Sequence, residues 1–103
     1  MRRFPPIAFA ILLLAAIALH AEPTAIVSRI KRVPVESSAL ATVGYSKKLR
    51  ALEIEFRNGS IYRYVEVPPN VYQALLNASS RARYYDENIR HKYRSQHVKS
   101  HAE

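Results

Sequence analysis

The 103-residue sequence carries 16 basic and 8 acidic residues, a formal net charge of +8, and contains no cysteine. The lack of thiols excludes disulfides, thiolate metal sites and thiol catalysis, so stability depends on an apolar core of the size that one small domain can form. The excess of basic residues favours anionic partners such as nucleic acid, lipid headgroups or acidic polymers.

The first 21 residues have the three-part pattern of an export signal. Two arginines precede an uncharged apolar run of 13 residues, Ile7 to Leu19, and a small residue, Ala21, precedes a polar break. The run is shorter than the roughly 20 residues that a membrane-spanning helix needs. We therefore predict cleavage after Ala21 and a periplasmic or secreted mature chain without a membrane span. Cleavage after Ala18, or a leader retained as an anchor, are the alternatives.

Removal of residues 1–21 leaves 82 residues with 14 basic and 8 acidic side chains, a net charge of +6. Residues 22–32 have no clear periodicity and are interpreted as a linker, with an edge strand at residues 25–30 as the alternative. Residues 33–94 are predicted to form the folded domain. Residues 95–103 are polar and are expected to fray.

The domain begins with a segment that is typical of a β-strand, residues 33–45. Pro34 disfavours helix at the residue before it, and β-branched and aromatic residues follow. Gly44 lies inside this strand pattern, where glycine indicates a bulge or a close approach of another backbone. A polar turn at residues 46–48 then leads into the clearest element of the chain.

That element is a hairpin around Asn58-Gly59 with two possible registers. A two-residue turn would set Ile54 opposite Arg63 and place a charge on the apolar face. A three-residue loop with Gly59 as a left-handed bulge sets Ile54 opposite Tyr62 instead, so the apolar residues share one face. We prefer the bulged register, which pairs Phe56 with Ser60, Ile54 with Tyr62, Glu53 with Arg63 and Leu52 with Tyr64. It leaves Ile61, Val65 and Val67 half-exposed on the other face.

Two short helices are predicted after the hairpin. The first spans Asn70–Asn77 with Pro69 in its first turn. The second spans Arg81–Tyr93 and is capped by the serine pair before it. The chain is therefore predicted to be a small α+β protein, a three-stranded antiparallel β-meander followed by two helices that pack on one face.

Several short motifs follow one another in a fixed order between residues 37 and 93. They are Ser37-Ser38-Ala39-Leu40, Val43-Gly44-Tyr45, Leu52 to Phe56, Gly59 with Tyr62-Arg63-Tyr64, Val67-Pro68, Ser80, Arg83-Tyr84-Tyr85, Ile89-Arg90 and Tyr93. Together they resemble the KTSC domain, a family named for its occurrence at the C-terminus of some lysyl-tRNA synthetases. The family has no assigned activity, and the synthetase fusion implies a role in RNA binding. This chain differs in context, because it carries an export leader and no synthetase.

The tyrosines of the tyrosine-x-tyrosine motif, Tyr62 and Tyr64, have two interpretations. The alternation places them with the apolar residues, so we interpret them as core residues. The alternative is a platform on which nucleic-acid bases stack.

The basic residues near the C-terminus also have two interpretations, a binding surface or a solvated helix face with pairs such as Arg83–Glu87. The candidate binding surface consists of Arg63, Arg81, Arg83, Tyr84, Arg90 and Arg94.

The residues present do not assemble a nucleophile with a base, which argues against an enzyme. His97 and His101 have the i, i+4 spacing of metal ligands, but too few further ligands accompany them for a metal site. We therefore expect an exported, non-enzymatic binding module without a cofactor, whose partner is a protein or an anionic polymer. An RNA-binding module is the alternative.

Overall fold

The computed structural model describes residues 25–99. They form a five-stranded antiparallel sheet with two helices on one of its faces. In chain order the elements are β1 (Val33–Pro34), β2 (Leu40–Ser46), β3 (Ala51–Phe56), β4 (Ile61–Tyr64), α1 (Pro69–Asn77), α2 (Arg81–Asn88) and β5 (Ser95–His97). The predicted α+β class is confirmed. The predicted leader and His101 lie outside the described residues.

The sheet has five strands where the sequence predicted three, because the segment 33–45 predicted as one strand forms both β1 and β2, and β5 was missed. β1 contains two residues and pairs with β2. β5 pairs with β4 although its three residues are polar and exposed. Strand pairing requires only a free backbone edge, so these strands carry no apolar alternation that a sequence pattern would reveal. The expectation that residues 95–103 fray is therefore wrong for residues 95–98, where Val98 is 1% exposed.

The central hairpin has the bulged register. Ile54 lies opposite Tyr62, and Glu53 lies opposite Arg63. Gly59 has a φ of 95°, and its amide donates to the carbonyl of Phe56 at 2.9 Å. The glycine therefore takes the left-handed conformation that closes the loop and directs the apolar residues of both strands to one face.

The main core lies between that face, called here the helix face, and the two helices. Its fully or nearly buried members are Leu40, Val43, Leu52, Ile54, Tyr64, Val67, Leu75 and Ile89. Val67 was expected on the other side of the sheet as a half-exposed residue, and this expectation is wrong. β4 ends at Tyr64, and Glu66 has a φ of 58°, which turns the chain so that Val67 enters the core.

α1 and α2 begin as predicted, and α2 ends five residues early. Pro69 lies in the first turn of α1, and the Ser80 hydroxyl accepts the Arg83 amide at the start of α2, at 3.2 Å. α2 stops at Asn88 rather than Tyr93, and His91 has a φ of 62°, outside the helical region. The chain then returns to the sheet and forms β5.

The opposite side of the sheet, the second face, is covered by residues 25–32, called here the arm. Ile26 bridges Val98 beyond β5, and Ser28 is 7% exposed. A Cβ at Gly44 would collide with the Lys31 carbonyl, so glycine permits the close approach that the sequence suggested. The interpretation of this segment as a linker is wrong for its described part. Because the arm and Val98 reach this face, Ile61 is 3% exposed rather than half-exposed.

Candidate functional site

A groove of about 720 Å³ opens between α2, the turn that follows it, and the helix face of β3 to β5. Aromatic side chains dominate its walls, and we call it the aromatic groove after Phe56, Tyr62, Tyr64, Tyr85 and Tyr93. β3, β4, α2 and the turn after α2 contribute these rings, so only the folded chain brings them together. The volume is in the range of sites that hold a small molecule or a few side chains of a partner.

The rings are packed against one another edge to face. Phe56 and Tyr85 have centroids 5.2 Å apart with planes at 67°, and Tyr64 and Tyr85 are 5.9 Å apart at 69°. Tyr62 approaches His97 of β5 at 5.4 Å. Such arrangements are favoured by the ring quadrupoles, so the walls are already ordered without a ligand.

A pair of phenol hydroxyls lies in the groove. The Tyr64 and Tyr85 oxygens are 2.7 Å apart. Burial, followed by the hydrogen bond to Tyr85, raises the pKa of Tyr64. The Tyr64 hydroxyl therefore stays neutral near neutral pH. One hydroxyl donates to the other, which leaves one proton of the pair to donate to a ligand.

One ion pair lies at the rim of the groove. Arg90 donates to Asp86, one helical turn away, at 2.7 Å, and both side chains are more than half exposed. The hydrogen bond to Asp86 raises the pKa of Arg90. An exposed pair of this kind contributes little to stability. It does place a guanidinium and a carboxylate beside an aromatic wall, where either can bind a polar group of a ligand.

The structure separates the residues of the predicted binding surface. Arg90 lines the aromatic groove, whereas Arg63 lies on the second face. The Arg81 guanidinium donates to the carbonyls of Glu36 and Leu76, at 3.0 and 2.8 Å, and so ties both helices to the loop before β2.

Other members of that set lie elsewhere on the helical side. Arg83 and Tyr84 line a separate depression between the helices, of about 250 Å³. Arg94 is exposed in the turn before β5. The structure therefore does not bring the six residues together in one pocket, and their role in binding stays a prediction.

The tyrosine-x-tyrosine pair divides between the core and the groove. Tyr64 is 5% exposed and belongs to the core, while Tyr62 is half-buried and forms part of the groove wall. Sequence reasoning did not identify Tyr93 or Asp86 as groove residues. Tyr93 reaches the groove because α2 ends early, a feature that no local pattern indicated.

A second polar cluster lies under the arm. Glu53 is fully buried and pairs with Arg32 and Arg63, each at 2.8 Å, which we call the ion triad. Ser28 accepts a further hydrogen bond from Arg63 at 3.2 Å. The hairpin register predicted the Glu53–Arg63 pair. The contribution of Arg32 was missed, because nothing in the sequence of the arm indicates that it crosses the sheet.

Neither a metal site nor a membrane helix is found within residues 25–99. No three His, Asp or Glu side chains in this part are arranged to hold a metal ion. No helix in the same range is long and apolar enough to cross a bilayer.

Comparison with known proteins identifies relatives of the central part of the chain. The KTSC domain model matches residues 36–93. The crystal structure of a KTSC domain protein from Yersinia pestis is 34% identical and superposes with a TM-score of 0.66, covering 68% of this chain and 99% of that chain. The matched range contains all five groove rings, with Tyr93 at its last position, and it excludes the arm and β5.

The segment that matches this chain makes up very different fractions of two sequence relatives. An uncharacterised protein of Stutzerimonas stutzeri is 47% identical over 57 residues, 55% of this chain and 80% of the relative. A lysine–tRNA ligase of Nostoc punctiforme is 37% identical over 59 residues, which are 57% of this chain and only 10% of the ligase. The shared segment thus occurs both as most of a small protein and as a small part of a large enzyme.

Proposed function

We propose that this chain, which belongs to the KTSC domain family, is an exported, non-enzymatic binding module that holds a protein partner in the aromatic groove. The observation that carries the proposal is the groove itself, where five aromatic side chains from β3, β4, α2 and the turn after α2 surround a concave volume of about 720 Å³. The composition of residues 1–21 supports export.

The chemistry of the groove favours a protein over a purely anionic polymer. Tyrosine and arginine are the side chains that most often dominate the binding energy of protein interfaces, above all in concave, partly desolvated sites. The single rim arginine, Arg90, is already paired with Asp86. A site for a polyanion would instead present several unpaired cations. We therefore expect a partner that inserts one or two apolar or aromatic side chains.

The polar groups of the groove support binding rather than catalysis. The raised pKa of Tyr64 keeps its hydroxyl protonated, so it is a poor general base. The Ser60 hydroxyl donates to the Asn58 side-chain oxygen at 2.7 Å, and an amide oxygen does not activate a nucleophile. These groups are suited to hydrogen bonding with a ligand that stays chemically unchanged.

The test is capture of a partner with the immobilised protein from nuclease-treated periplasmic or secreted extract. Tyr62→Ala should reduce the affinity for the captured partner at least about 10-fold, because an interface tyrosine in a pocket contributes strongly. Tyr84→Ala is the matched control, since Tyr84 is also half-buried but lies in the separate depression on α2. Loss of capture with Tyr84→Ala and not with Tyr62→Ala would place the site outside the groove.

Export is tested separately by N-terminal sequencing of the protein that accumulates in the producing cell. We expect the sequence to begin at Glu22 in the exported fraction. Full-length protein that begins at Met1 and stays dissolved in the cytoplasm would contradict export, whatever the groove binds.

RNA binding is the second candidate function. It is supported by the lysine–tRNA ligase relatives and by the groove, where rings beside Arg90 resemble a base-stacking surface. A gel shift with RNA and with single-stranded DNA at about 50 and 200 mM salt is the test. RNA binding predicts a shift that weakens steeply with salt, and the absence of a shift at the lower salt concentration would exclude it.

A further inference from the structure

We propose that the outer side of the arm, together with the β2–β3 turn, is a docking surface for an anionic lipid membrane. We call it the arm surface and define it by Val27, Arg29, Lys31, Lys48 and Leu49. The inference rests on the export part of the proposed function and is independent of the aromatic groove, which lies on the opposite face of the sheet.

The arm is extended, and its side chains alternate between the sheet and solvent. Ser28 and Arg32 point to the sheet, where Arg32 donates to Glu53 and Ser28 accepts from Arg63. Val27, Arg29 and Lys31 are exposed on the outer side. The inward residues hold the arm in place, which fixes the direction of the outward ones.

The outer side combines exposed aliphatic residues with cations. Val27 is 71% exposed and Leu49 is 54% exposed, the two highest values among the large hydrophobic residues of the described chain. A depression of about 470 Å³ brings Arg29 and Lys31 of the arm beside Lys48 and Leu49 of the turn. None of these three cations forms an ion pair within residues 25–99. Unpaired cations around exposed aliphatic side chains favour the interface of an anionic bilayer, where both kinds of group are accommodated.

The position of the arm in the sequence selects a membrane over other anionic partners. Val27 follows Leu19, the end of the apolar leader run, by eight residues. An extended chain of that length reaches about 28 Å at most. While the leader is in a bilayer during export, the arm surface is therefore held close to lipid headgroups. A membrane is thus a partner that the arm surface lies close to during export.

The test uses the protein made from its full-length gene, in whichever form accumulates, with two kinds of vesicle. One contains phosphatidylcholine alone, and the other contains one third phosphatidylglycerol. We expect binding to the anionic vesicles that weakens with salt. The variant Arg29→Gln/Lys31→Gln/Lys48→Gln should bind them about 100-fold more weakly, because each cation near an anionic surface strengthens binding about fivefold.

The matched control is Arg83→Gln/Lys92→Gln/Arg94→Gln, which removes the same charge from exposed residues elsewhere. It should bind within a few-fold of the wild type. Neither triple variant removes a side-chain hydrogen bond or ion pair of the described chain, so both should keep the wild-type melting temperature. Equal losses in the two variants, or no binding of the wild type to anionic vesicles, would overturn the proposal.

The aliphatic residues distinguish a membrane from a soluble polyanion. Val27→Ser/Leu49→Ser should weaken binding to anionic vesicles about 10-fold and leave binding to soluble polyglutamate unchanged. An unchanged vesicle affinity, or tighter binding to polyglutamate than to vesicles in the wild type, would overturn membrane docking. The outcome is separable from the proposed function, because Tyr62→Ala should retain vesicle binding and the cation variant should retain capture of the protein partner.

Discussion

The two faces of the sheet are covered in different ways, although the same strands form both. On the helix face, α1 and α2 enclose apolar and aromatic side chains, and the tyrosine hydroxyls there bond to each other or to the backbone. On the second face, an extended arm covers Glu53, which has no exposed surface and is held by two arginines. The helix face is stabilised mainly by buried apolar area, whereas the second face combines a few buried apolar residues such as Ile61 and Val98 with directional ionic contacts.

This difference indicates which face of the sheet tolerates amino-acid substitutions. Burial of apolar surface is non-directional, so the helix face can repack around conservative substitutions. A buried carboxylate needs all of its partners at once, because desolvation is offset only while the charge is compensated. The KTSC match covers the helix face and stops short of the arm. The second face is thus closed by a segment outside the matched domain.

The largest effect is expected on the helix face, from Tyr64→Ala. Its ring contacts the core and Tyr85, so truncation should lower the free energy of unfolding by about 3–5 kcal/mol. The melting temperature should fall by roughly 12 °C or more, as measured by thermal unfolding. Tyr64→Phe, which loses only the hydroxyl, should cost about 1 kcal/mol. An unchanged melting temperature for Tyr64→Ala would mean that this ring is not part of the core.

On the second face, Glu53→Gln should lower the free energy of unfolding by about 3 kcal/mol, because two arginines would lose their buried counter-charge. The measurement is urea denaturation. Glu55→Gln is the control, since Glu55 is on the same strand and keeps an acceptor for the Thr42 hydroxyl. It should change stability by less than about 1 kcal/mol. Equal effects of the two variants would show that the ion triad does not hold the second face.

Gly44→Ala should act on the arm alone, at a cost of about 2 kcal/mol, because the new methyl group would meet the Lys31 carbonyl. Hydrogen exchange should accelerate at the Ile26 and Lys99 amides, which hold the end of the arm beside β5. Gly59→Ala strains the hairpin loop instead and should leave those amides protected. Unchanged exchange in Gly44→Ala would indicate that the arm adapts to the methyl group.

The smallest effect is expected at alkaline pH, where deprotonation of Tyr64 on the helix face should reduce stability. Burial raises the pKa of Tyr64 above that of an unfolded tyrosine, about 10. Below pH 10 Tyr64 keeps its proton in both the folded and the unfolded state, so its full contribution to stability is present. Above it the unfolded state loses the proton first, so the free energy of unfolding falls, by about 1 kcal/mol between pH 9 and 11. Tyr64→Phe should lose less over that interval, and parallel profiles would refute the assignment.

The sequence by itself determined the features that depend on neighbouring residues. The hairpin register followed from the alternation of Leu52, Ile54 and Phe56 together with Asn58-Gly59, since a slip of one residue would have exposed the whole apolar set. The serine that caps α2 and the proline at the start of α1 were likewise predicted from residues that are close in sequence. The ordered motifs were sufficient to indicate the KTSC family.

Only the tertiary structure decided the features that join distant parts of the chain. β5 forms through backbone hydrogen bonds to β4, and these do not depend on the identity of its polar side chains. Arg32 reaches Glu53 across 21 positions, and the aromatic groove closes only because His91 turns the chain after α2. Backbone pairing, buried ion pairs and chain reversals leave no periodic pattern in the sequence, because their partners are fixed by the arrangement of the whole fold.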